Sequence, residues 1–179
     1  TEPYNKTFIK NLSSKNKFHS ALKMKLPKKL SFRKYSKDLL KEKFDLIVIA
    51  LSLSGINFIG KELKDLKTQV PILVLTKGLK YEKKKKKILT ISEKLNKDFR
   101  IKDISILKGP CLAKELAKEK QTSVIIANKN INKAKKIGKM ISTKYYSIEY
   151  SKDIIGVEIS SAIKNIYAMI IGSGQSLNA

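Results

Sequence analysis

An α/β domain with a mainly parallel sheet, followed by the start of an all-helical unit, is the fold class this sequence predicts. Short apolar runs rich in β-branched residues recur along the chain, and such runs mark strands covered on both faces. Stretches with the apolar spacing of helices separate them, and that alternation implies a parallel sheet with crossover helices. The last apolar stretch is longer and apolar nearly all round, so it stands apart from the alternation.

Taken in order, the first 40 residues are polar, lysine-rich and weakly periodic. The first strand is expected in "FDLIVIAL" (Phe44–Leu51), a nearly continuous apolar run. A second follows in "VPILVLT" (Val70–Thr76). "DISILKG" (Asp103–Gly109) is a third, shorter and alternating. "TSVIIAN" (Thr122–Asn128) is a fourth, and "KYYSIEY" (Lys144–Tyr150) a fifth, again alternating. Helical spacing falls at Ile56–Leu66, Ile88–Leu95, Leu112–Ala117 and Ile131–Ile141. Asp153–Ile171 reads as one long helix that should be buried. The expected organisation is a sheet domain over 1–151 and the first helix of a second, helical unit over 152–179.

The chain is 42% hydrophobic, so it can bury a sizeable core. Its formal net charge of +24 raises the alternative of a basic nucleic-acid-binding α/β protein that uses the run Lys83–Lys87. Against it, the lysines are spread along the whole chain, and Arg33 and Arg100 are the only arginines. Base reading and bidentate phosphate contacts favour arginine. Abundant Lys, Ile and Asn fit a compositional bias with solvated lysine faces, and the run is expected at the start of a solvated helix. The lone cysteine, Cys111, allows no intrachain disulfide and fits a reducing, cytoplasmic setting. "TEPYNKTFIKN" has no apolar core of the kind a signal peptide needs. Glu158 and Lys164 interrupt the longest apolar stretch, which argues against a membrane span.

Sheets of this class bind ligands at the carboxyl ends of their strands. Lys77 ends an apolar strand and precedes Gly78, so its ammonium either points into such a crevice or is a solvated loop lysine. "GPCLAKE" (Gly109–Glu115) follows a strand and opens a helix. It reads either as an ordinary turn or as a helix start that offers N–H groups to an anion. Lys164 lies on the apolar helix, with Ser160 and Ser161 one turn before it. Buried there, it would be a proton-transfer lysine with a lowered pKa, a partner in a structural ion pair, or a side chain that snorkels out. His19 reads as a surface histidine; Cys111 has no neighbouring histidine and no metal-ligand spacing.

"LTKGL", "LKGPCLAKELA" and "DIIGVEISSAIKN" resemble, in order and spacing, motifs of the NAD(P)-dependent glycerol-3-phosphate dehydrogenases, and "DLIVIAL" looks like the strand before that family's first crevice loop. The resemblance covers the chain from about residue 25 to 179. It implies a Rossmann-like, doubly wound domain over 1–151, N-terminally incomplete, and a helical substrate domain beginning in 152–179. It implies reversible hydride transfer between NADH or NADPH and dihydroxyacetone phosphate, giving sn-glycerol 3-phosphate for phospholipid synthesis. Lys77 would contact substrate and cofactor, Gly109 and Cys111 would line the substrate, and Ala113 would touch the cofactor. Lys164 would bind substrate and exchange a proton with its C2 oxygen. The partners implied are that small-molecule substrate and NAD or NADP, with no specific nucleic acid and no membrane span; a homodimer is left open.

The sequence departs from the family pattern at several positions. Cys111 stands for the usual Ser or Thr, Leu112 for an aromatic, and Ser160–Ser161 for a glycine-containing pair. Leu51–Ser52 replaces a Val-Pro, so no cofactor residue is carried onto that loop. The family's glycine-rich pyrophosphate turn would precede residue 1, and its Arg-Asn element would follow residue 179. The expectation is an internal fragment, inactive alone.

Overall fold

A computed structural model describes residues 10–12, 17–33, 35–64, 70–83 and 86–176. A small antiparallel hairpin, β1 (Phe18–His19) with β2 (Met24–Lys25), precedes the main sheet. The sheet has five strands in the order β3 (Ile47–Ile49), β4 (Ile72–Val74), β7 (Ser105–Lys108), β8 (Thr122–Ala127) and β9 (Tyr146–Ser151). β3 pairs with β4, β4 with β7, and β8 with β9 in parallel. β7 and β8 are antiparallel, with Lys108 opposite Ile125. A second hairpin, β5 (Lys80–Glu82) with β6 (Lys87–Leu89), lies outside this sheet.

Side chains alternate across the sheet, and both faces are covered. Ile72, Val74 and Ile106 point to one face, where they pack with Ile56 and Ile59 of the helix Ile56–Lys64 and with Ile91 and Leu95 of the helix Ile91–Phe99. Leu73, Leu107, Val124 and Ile126 point to the other, against Ala134 and Ile137 of the helix Ile131–Ile141. Every residue of β4 and β7 is buried, which is why β4 is an uninterrupted apolar run. The helix Ile91–Phe99 starts at a capping box: the Thr90 side chain accepts from the Glu93 N–H at 3.3 Å, and Glu93 Oε2 accepts from the Thr90 N–H at 2.9 Å. Thr90→Ala is therefore expected to lower stability by about 1 kcal/mol. Urea denaturation checks this; an unchanged midpoint would remove the cap from the account.

Three expectations need correction. The connection after β7 is no crossover helix but a single turn, Ala113–Leu116. β8 returns antiparallel to β7, and antiparallel neighbours do not need the long connection that parallel ones do. The strand expected to alternate, Asp103–Gly109, is accordingly buried on both sides over Ser105–Lys108. The lysine run does not open a helix. Lys83, Lys86 and Lys87 belong to the hairpin of β5 and β6, and the helix begins after it at Ile91; Lys84 and Lys85 lie outside the described residues.

The long helix is also not buried. It runs Ile154–Ser176, and only Ile154 and Glu158 of it are buried. Those residues pack beside the sheet and the Ile91–Phe99 helix, after which the helix projects beyond both. Ile166, Tyr167, Met169, Ile170 and Ile171 are exposed, because the described residues cover one side of its beginning only. By length and composition alone this helix is long and apolar enough to cross a membrane.

Candidate active site

The strands β3, β4 and β7 end on the same side of the sheet, and two of those ends carry glycines in conformations other residues resist. After β4, Thr76 is buried, Lys77 is exposed, and Gly78 has φ of +125°. The Thr76 hydroxyl is buried without a hydrogen-bond partner among the described residues. After β7, Gly109 has φ of +149°. A Cβ there would lie 2.9 Å from Val124 Cα and 3.0 Å from the Ser123 carbonyl oxygen, so the turn passes too close to β8 for any side chain. Pro110 follows and contributes no N–H.

An open cleft of about 580 Å³ lies between this turn and the long helix, lined by Lys108, Gly109 and Pro110 on one side and by Ser160, Ser161 and Lys164 on the other. Another cleft, among Leu63, Phe99, Arg100 and Asp103, opens where β4 and β7 enter the sheet. The ligand crevice of such sheets is at the strand exits, which favours the first. Lys164 is thus placed at the cleft, but it is exposed rather than buried. The helix has left the sheet by that point, so the described residues leave this lysine uncovered.

Among the described residues the buried lysine is Lys108, which is 7% exposed. Its Nζ donates to the Leu75 carbonyl at 3.1 Å and to the Thr76 carbonyl. Burial pulls its pKa down to about 8; the nearby Glu158 carboxylate opposes the shift, and the Lys77 ammonium adds to it. Glu158 is 2% exposed. Its carboxylate accepts from the Ser92 N–H at 3.2 Å and from the Ser92 hydroxyl. It therefore sits at the N-terminus of the Ile91–Phe99 helix, where the helix dipole favours negative charge.

Of the residues singled out in the sequence, the cleft unites Gly109 and Lys164. Lys77 is not among its lining residues but is close enough to Lys108 to perturb its charge. Cys111 and Ala113 are exposed and do not line the cleft. The Cys111 thiol is pushed up in pKa by local burial and acts electrostatically on Tyr146 at the start of β9. The Ala113–Leu116 turn is too short to act as the anion-holding helix start that "GPCLAKE" suggested. His19 is half-buried in β1, where its Nδ1 accepts from the Leu22 N–H at 3.2 Å.

Sequence reasoning missed the buried pair Lys108 and Glu158. The criterion that picked Lys77, a lysine at the end of a strand and before a glycine, fits Lys108 equally well. The cleft itself presents the ammonium of Lys164 and the hydroxyls of Ser160 and Ser161 opposite the Gly109 turn, a polar wall that suits an anionic ligand.

A mainly parallel sheet with helices on both faces and a lysine-lined cleft at its strand exits defines a Rossmann-like α/β domain. Within that class the chain belongs to the NAD-dependent glycerol-3-phosphate dehydrogenase family: the model of that family's N-terminus matches residues 3–134. It is 35% identical over 134 residues to a glycerol-3-phosphate dehydrogenase [NAD(P)+] of Leptospira biflexa, covering 74% of this chain and 40% of that protein. It is 32% identical over 135 residues to an NADP(+)-dependent glycerol-3-phosphate dehydrogenase of Archaeoglobus fulgidus, covering 73% of this chain and 39% of that protein. The crystal structure of glycerol-3-phosphate dehydrogenase from Coxiella burnetii superposes with a TM-score of 0.77 at 20% identity, over 98% of this chain and 53% of that one. A glycerol-3-phosphate dehydrogenase structure from Dunaliella salina gives 0.79 at 20% identity, over 100% of this chain and 31% of that one. The chain thus spans about 40% of the length of the curated relatives it matches. Neither the fold nor these comparisons support the nucleic-acid alternative.

Proposed function

We propose that this chain carries the cofactor-binding domain and the first helix of the substrate domain of an NAD(P)-dependent sn-glycerol-3-phosphate dehydrogenase. The observation that carries the reading is the cleft that brings Lys164 opposite Lys108 and Gly109 at the strand exits. The reaction is reversible hydride transfer between NAD(P)H and dihydroxyacetone phosphate, supplying sn-glycerol 3-phosphate for phospholipid synthesis. When bound, the reduced nicotinamide supplies the hydride. Lys164 gives a proton to the C2 oxygen as that oxygen gains negative charge, and takes it back in the reverse direction. Lys77 sets a second positive charge beside the developing oxyanion and the cofactor. Gly109 lines the substrate at the cleft; just beyond the cleft lining, Cys111 is the substrate contact with a weak thiol donor and Ala113 the cofactor contact of this reading.

The division at 151/152 belongs to the same reading, supported by the end of β9 at Ser151 and the helix start at Ile154. So do a cytoplasmic setting and the absence of a membrane span. Cys111 is a free thiol, and the helix carries both Lys164 and the buried Glu158, which hydrocarbon would penalise. The exposed apolar flank at Ile166–Ile171 is a surface for the rest of that helical domain to cover, and a homodimer belongs to the same reading. The test is oxidation of NADH or NADPH in the presence of dihydroxyacetone phosphate, by a polypeptide of the relatives' full length that carries this sequence. Turnover dependent on both reactants is expected; its absence with either nucleotide would sink the reading.

A further inference from the structure

We propose that Lys108 is a positioning residue for Lys77: its buried side chain clamps the two carbonyls that precede Lys77 and orients that loop toward the helix bearing Lys164. The sheet register shows why a clamp is needed. β4 pairs with β7 at Leu73–Ser105 and Val74–Ile106, and the ladder stops there. On the other side, the Leu75 N–H still bonds the Ile49 carbonyl of β3 at 2.8 Å. The carbonyls of Leu75 and Thr76 lie just past the last β4–β7 pair, level with the end of β7, after which the chain turns through Gly109. Lys108 Nζ donates to both, so a side chain replaces the missing ladder. Fixing these two peptide planes fixes the direction in which the chain leaves toward Lys77 and Gly78, the latter already at φ of +125°.

The surroundings keep this ammonium in place without neutralising it fully. Glu158 faces it from the long helix, and Lys77 faces it from the loop. Asp153, just before that helix, and Lys164 on it line the cleft it borders. Because Glu158 is itself held by Ser92, the attraction ties the loop to a rigid helix start. A pKa of about 8 means that the positive charge is shed as pH rises through that value, weakening the tie to Glu158.

The inference rests on the dehydrogenase reading for its kinetic part only. In this chain, Lys108→Met is expected to speed amide hydrogen exchange at Leu75, whose N–H bonds the Ile49 carbonyl, by about tenfold or more, the effect of losing a charged hydrogen-bond donor, with Val124 and Ile126 unchanged. If that variant does not fold, Lys108→Gln, whose shorter amide reaches one carbonyl at most, should show a smaller loosening confined to the same loop. In the full-length polypeptide, Lys108→Met should lower kcat/KM for dihydroxyacetone phosphate about tenfold or more, while Lys108→Arg, which keeps the charge and donors, restores most of it. The wild-type kcat/KM should fall above about pH 8, and Lys108→Met should remove that bend. Unchanged loop exchange in both neutral variants overturns the proposal even if the enzyme is active. Faster loop exchange without any wild-type turnover leaves the clamp standing and fails the dehydrogenase reading instead.

Discussion

Lys164→Ala, in a polypeptide of the relatives' full length, is expected to cut turnover by roughly 10²–10⁴-fold, the usual contribution of a positioned proton donor. The melting temperature should hardly move. Lys164 is exposed on the cleft side of a helix, so truncating it opens no core cavity. Alanine is also the best helix former, so the Ile154–Ser176 helix is not weakened. Steady-state kinetics with a thermal melt of the same sample decide the matter. Turnover within about threefold of wild type would remove Lys164 from proton transfer, since a catalytic proton donor contributes far more than that. A loss of both activity and stability would mean that the side chain supports the fold.

Gly109→Ala is the substitution expected to hurt stability most. The added Cβ would meet the backbone of β8, at 2.9 Å from Val124 Cα and 3.0 Å from the Ser123 oxygen. Neither atom can swing aside as a side chain could. The φ of +149° adds conformational strain that glycine avoids. Overpacking and backbone strain each cost about 1–3 kcal/mol, so a total of roughly 2–4 kcal/mol is expected. Urea denaturation of this chain and its variant measures it; a loss under about 0.5 kcal/mol, the range of a neutral surface change, would show that β7 and β8 can part at this point.

Much of the fold was legible because the strands that matter are apolar on both faces. The runs around Ile47–Ile49, Ile72–Val74 and Thr122–Ala127 could hardly be anything else. The end of the second of these then located Lys77. The reversal at β8 was not legible. A one-turn connection and a crossover helix share the same apolar spacing over "CLAKELA", and only the pairing of Lys108 with Ile125 tells them apart.

Lys108 was hidden for the same reason. A lysine closing a strand looks solvated in a chain with so many lysines, and it becomes buried only when β8 and Glu158 arrive beside it. Lys164 erred in the opposite direction. The apolar character of its helix reports the surfaces that helix can adhere to, and the described residues supply only one of them, around Ile154 and Glu158. The lysine run drew attention by density alone, and it lies on a hairpin outside the main sheet.

The antiparallel step between β7 and β8 also bears on how the site assembles. Joining β7 to β8 closes a short loop, whereas joining β4 to β7 must bring together segments separated by a hairpin and a helix. The first pairing has the smaller loop-closure cost. The Gly109 turn is thus closed by the more local pairing, and the loop of Lys77 is brought beside it by the more distant one. Lys108 lies on the strand that both pairings share and bonds across the more distant one, so its side chain latches the two parts of the site together.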